Sequence, residues 1–138
     1  MTPEQVQAKL ALLADTIARL RALDPGSFEA FRADDRNADA ALRRLQVAIQ
    51  ILIDVGSHLV SRLGLGAPET STDLLVRLES AGKLPAGAAA RFGRIFAFRN
   101  RIVHLYDRVD DEVVYTIVAS DVSDLEELAR LYLALLPA

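Results

Sequence analysis

Apolar side chains recur along this chain at steps of three and four, the spacing that lines one face of a helix. Val6, Leu10, Leu13, Ile17 and Leu20 form the first stripe, which predicts a helix from about Pro3 to Leu23. Thr2 suits its N-cap and Pro3 its first turn. Asp24-Pro25-Gly26-Ser27 ends it. Residues 27–36 read as a connection with a helical turn that buries Phe28 and Phe31. A long second helix is expected over about Asn37–Leu63, stopped by Gly64-Leu65-Gly66-Ala67-Pro68. A short third helix, about Ser71–Ser80, turns Leu74, Leu75 and Leu78 inward, and Gly82 and Pro85 close it. The fourth runs from about Ala86 to His104 or a little beyond.

The C-terminal third is less periodic. Asp107 to Asp110 form an acidic loop. Residues 111–118 are expected to be helical, although Val113, Val114, Tyr115, Ile117 and Val118 suit a strand equally well. Ser123-Asp124-Leu125-Glu126 has the form of a capping box, which predicts that a last helix opens there and runs to about Leu136. Helices joined by short loops imply an all-α fold, a small up-and-down bundle of about five to six helices. The length of 138 residues suits one domain spanning 1–138.

Composition narrows the chemistry. There is no Cys, which excludes disulfides, thiolate metal sites and a Cys nucleophile. Two His without Cys are too few for a recognisable zinc site, so no metal is expected. The most apolar stretch, Leu45 to Leu65, is interrupted by Gln46, Gln50, Asp54, His58 and Arg62, which argues against a membrane span. The first residues do not resemble a secretory leader, so a cytoplasmic location is the expectation. The net charge is −3, yet five basic residues and no acidic one lie between Lys83 and Tyr106. A locally positive face on an acidic protein is what phosphate binding requires. A solvated helix face gives the same charge run.

The fourth helix carries the most informative residue. Phe92, Ile95, Phe96, Arg99, Ile102, Val103 and Tyr106 share one stripe, so Arg99 stands where a leucine is expected. A charge there is costly unless it is paired or lines a cleft. Its planar fork of donors suits a phosphate. His104 follows five residues later, about 140° around a regular helix. The two groups therefore do not share one face, and a bend near His104 or a second copy of the helix in a symmetric dimer is needed to bring them together. Asp54 and His58, four apart on an apolar row, fit an Asp–His hydrogen bond inside the bundle. The alternative is that they orient Arg99 or line its cleft.

The string Phe98-Arg99-Asn100-Arg101-Ile102-Val103-His104-Leu105-Tyr106 has the Arg-x4-His-x-Tyr form and resembles the HepT-like ribonuclease toxins of the HEPN superfamily. Weaker likeness extends over Arg44–Gln50 and Asp54–His58, Leu84-Pro85, and the acidic loop after the tyrosine, about two thirds of the chain in all. The resemblance implies a metal-independent endoribonuclease without cofactors, active as a homodimer or higher oligomer. Arg99 and His104 are then catalytic, and Asn100 and Arg101 position the RNA. It also implies a nucleotidyltransferase antitoxin, MntA-like, that transfers AMP to Tyr106. One His per chain is awkward for acid-plus-base chemistry, and two facing motifs supply two. The competing reading is a non-catalytic helical module that binds a nucleotide or a partner protein. A plain oligomerisation domain is a third.

Overall fold

A computed structural model describes residues 1–104 and 110–137, with residues 102–104 described as helical backbone only. Among the described residues all regular structure is helical. The helices are α1 (Pro3–Ala22), α2 (Phe28–Arg32), α3 (Arg36–Arg62), α4 (Ser71–Ser80), α5 (Ala88–His104), α6 (Asp111–Thr116) and α7 (Val122–Leu135). A π-helical turn, Ile117–Asp121, joins α6 to α7 without a break. Counted as one bent rod, that unit makes six helices, which agrees with the expected all-α bundle. No helix among the described residues is long and apolar enough to cross a membrane.

Local chemistry explains most boundaries. Thr2 and Gln5 form a reciprocal capping box at the start of α1. α2 is the expected turn, with Phe31 buried and Phe28 half-buried. Both α3 and α4 end in a left-handed glycine. After α3, Gly64 (φ 68°) lets Leu65 N–H reach back to Val60 O at 3.0 Å. After α4, Gly82 (φ 73°) lets Lys83 N–H reach Leu78 O at 2.9 Å. α5 has no acidic residue in its own first turn, and Glu79 of α4 accepts from Ala89 N–H there at 2.8 Å.

α3 is the central helix, packed against α1, α4, α5 and α7. Leu45, Ile49, Leu52, Val55 and Leu59 are buried along it. Gly56 on α3 faces Leu74 of α4 and Tyr132 of α7. A Cβ there would lie 2.4 Å from Tyr132 Oη and 2.5 Å from Leu74 Cδ1, so any larger residue forces those side chains to shift.

Of the two expectations for the C-terminal third, one holds and one changes. Residues 111–116 are helical, capped by the Asp110 side chain on Glu112 N–H. Tyr115 decides the matter: its ring packs on Phe28 and Phe31, and its hydroxyl donates to Asp24 at 2.8 Å. The capping box at Ser123 does not form. The chain is already helical through the π turn, so no free N–H groups await a cap. Ser123 Oγ instead donates to Ser120 O at 3.0 Å, and Glu126 pairs with Arg21 of α1.

Candidate functional site

α5 presents its apolar face to the core through Ala88, Phe92, Ile95, Phe96 and Phe98, all buried. Arg99 falls within that row and is half-buried. Its Nε is buried and has no hydrogen-bond partner among the described residues. Arg99 borders a cleft of about 380 Å³ between α1, α3 and α5. On α3, Arg43, Gln46, Gln50 and Asp54 line the cleft at helical spacing; Lys9 of α1 faces them. Leu12, Val47 and Ile51 supply its apolar walls. Three cations thus meet one carboxylate, which gives the cleft a net positive character inside an acidic protein.

The carboxylate is held from both sides. Lys9 Nζ lies 3.2 Å from Asp54 Oδ2, and Gln50 Nε2 donates to Asp54 Oδ1 at 2.8 Å. The expected Asp54–His58 hydrogen bond is not among Asp54's bonds. Gln50 sits one turn before Asp54 and occupies one oxygen, while Lys9, distant in sequence, takes the other. Asp54 lines the cleft beside Arg99, as the alternative reading required. His58 does not. It opens on a separate cavity of about 290 Å³ with Pro3, Val6, Gln7, Arg62 and Leu136. Burial, the N-terminal amine and Arg62 hold its imidazole below the ordinary histidine value.

Asn100 and Arg101 are exposed on α5, and the Arg101 guanidinium lies 5.9 Å from the Phe98 ring centre. The positive run of α5 is partly neutralised by α7: Arg91 bonds Asp124 at 2.6 Å, and the charge of Arg94 acts on Asp121. α5 remains helical through His104, which places the Cα positions of Arg99 and His104 about 140° apart around its axis. Tyr106 and the acidic loop at 107–109 lie outside the described residues.

Lys9, Arg43, Gln46 and Gln50 were not among the residues singled out from the sequence. Gln46, Gln50 and Asp54 had left a trace there, as polar interruptions four apart in an apolar run. Lys9 left none, because its role depends on how α1 docks on α3.

The bundle is of a known class. A tri-AMPylated Shewanella oneidensis HEPN toxin in complex with an MNT antitoxin superposes with a TM-score of 0.84 at 22% identity, covering 97% of this chain and 99% of that one. A toxin–antitoxin structure with AMP-PNP gives 0.82 at 21% identity, covering 96% and 99%. The family model described as ribonuclease HepT-like matches residues 13–131, and the chain belongs to that family. A tRNA nuclease HepT of Aphanizomenon flos-aquae is 24% identical over 85% of this chain and 80% of its own length. An mRNA nuclease HepT of Shewanella oneidensis is 24% identical over 86% and 89%.

Proposed function

We propose that this protein is the ribonuclease toxin of a toxin–antitoxin pair. The observation that carries the reading is the Arg99 guanidinium, set in an apolar helix row, its Nε unpartnered among the described residues, and bordering a cationic cleft. Its place in the HepT-like family and the names of the two nuclease relatives support the same activity.

The 2′-oxygen of the RNA attacks the adjacent phosphorus, and the 5′-oxygen leaves. The products are a 2′,3′-cyclic phosphate and a 5′-hydroxyl end. Arg99 holds the phosphate as negative charge builds. His104, whose side chain type titrates near neutrality, takes the proton from the 2′-OH or delivers one to the leaving oxygen. Asn100 and Arg101 position the strand. The two motif positions lie on different sides of α5, so the active unit is a homodimer in which each chain completes the other's site.

An antitoxin of the nucleotidyltransferase class silences the toxin by transferring AMP to Tyr106. The solved neighbours support this: one contains an AMPylated toxin with its MNT partner. A bulky anionic ester beside Arg99 and His104 blocks RNA by charge and by volume. The deciding experiment incubates purified wild type, Arg99→Ala and His104→Ala with RNA in EDTA and analyses the product ends. Cyclic phosphate ends from wild type alone are expected. Wild-type cutting rates in both variants would overturn the site, and RNA binding without turnover in wild type would mark a non-catalytic module instead.

A further inference from the structure

Both oxygens of Asp54 are engaged, and the bond from Gln50 has a consequence for the cleft. An ionised carboxylate only accepts, so the Gln50 atom facing it is the NH2 group. The Gln50 amide is thereby oriented, and its carbonyl oxygen accepts no hydrogen bond among the described residues. Gln46, one turn earlier on α3, lines the same cleft with an amide that also has no partner among the described residues. Leu12, Val47 and Ile51 supply apolar surface beside them, and Arg99 stands at the border. The volume of about 380 Å³ is that of a small-ligand cleft.

A flat heterocycle needs apolar surface for its face, amides for its edge and a cation for the phosphate attached to it. We propose that this part of the cleft is a nucleobase subsite. In it, the carbonyl of Gln50 reads the exocyclic amino group of adenine or cytosine, beside a phosphate held at Arg99. Uracil presents a carbonyl where those bases carry NH2, so it sets oxygen against oxygen and is disfavoured. Asp54 acts as a positioning residue, since it dictates which end of the amide faces the base. Lys9 holds Asp54 in place from the other side. The inference rests on the ribonuclease reading only for the identity of the ligand as RNA.

The test measures fluorescence anisotropy of labelled single-stranded uridine oligomers against the same oligomers carrying one central adenine or cytosine. Cleavage of a mixed-sequence RNA is mapped in parallel. Wild type is expected to favour the amino-bearing oligomers by roughly tenfold, the scale of one well-made base contact. Gln50→Leu keeps the methylene stem, loses the amide, and brings those affinities down to the uridine value. Gln46→Leu, a second variant should Gln50→Leu unfold, lowers the preference part of the way. Asp54→Asn frees the Gln50 amide to turn and also weakens it.

Equal affinities in wild type, or a preference that Gln50→Leu retains, overturns the subsite. The two readings fail separately. Wild type that prefers adenine or cytosine but cuts no RNA overturns the nuclease and leaves the subsite standing. Cutting with no base preference does the reverse, and a protein that neither binds nor cuts overturns both.

Discussion

Of the three buried polar atoms without a hydrogen-bond partner among the described residues, Arg44 Nε, Arg99 Nε and Tyr132 Oη, the last two lack one for opposite reasons. Tyr132 Oη is enclosed where α3, α4 and α7 meet, with Gly56 and Leu74 against the space around it. Burial alone raises the phenol well above its ordinary value, with no charge or hydrogen bond involved. Arg99 Nε is equally unpartnered, but its side chain borders an open, cationic cleft. The first atom is a cost of packing a large ring, because a buried hydroxyl without a bond forfeits its hydration. The second belongs to a group at the edge of a cleft open to a ligand, the group that the proposed function assigns to the RNA phosphate. An unsatisfied polar atom is thus informative about function only when its surroundings admit a ligand.

The largest effect expected from breaking this comparison is on catalysis. Arg99→Leu should lower RNA cleavage by about 100-fold or more, the scale of losing a charge-stabilising donor. Thermal unfolding of the same variant should show stability unchanged or raised, since a leucine suits the row. Next, Gly56→Ala forces a methyl against Tyr132 and Leu74. It should cost about 1–3 kcal/mol in denaturant titration while leaving the cleft chemistry intact. Tyr132→Phe removes the enclosed hydroxyl and should be neutral or stabilising by up to about 1 kcal/mol. RNA cleavage by that variant should match wild type. A marked loss of stability would mean that the hydroxyl has a partner after all.

The smallest effect concerns His58. Its folded-state value lies below the ordinary one, so the unfolded chain takes up the proton first as pH falls. The stability it contributes is present above about pH 6.5 and is lost on going through the folded value toward acid. Melting curves across that range should show a shallow acid-side decline that His58→Gln flattens. A decline that persists unchanged in the variant would assign it to other groups.

The helices that carry a full apolar stripe were legible from spacing alone, and α1, α3 and α4 begin and end within a residue or so of where their caps and glycines place them. The arginine displaced into the α5 row was legible for the same reason, since periodicity exposes what does not fit. What escaped the sequence depends on contacts between distant segments. The helix expected over 111–118 ran against a strand-like composition, and the contacts that settle it, Tyr115 packing on α2 and bonding Asp24, could not be read from spacing. Ser123 and Glu126 have cap spacing but find no frayed end to cap. Asp54 and His58 have the spacing of a pair, yet Asp54 bonds Lys9 of α1 and Gln50 one turn earlier on α3 instead.

The π turn between α6 and α7 has a further consequence. Wider winding over Ile117–Asp121 accommodates a residue that an ordinary helix would not. It therefore works as a phase adjuster, setting the rotational register of α6 against α7. Loss of one residue there would restore regular pitch but swing Tyr115 by about 100° away from its aromatic neighbours. An insertion or deletion in that segment should therefore cost stability, even though Ala119 and Ser120 themselves lie on the surface.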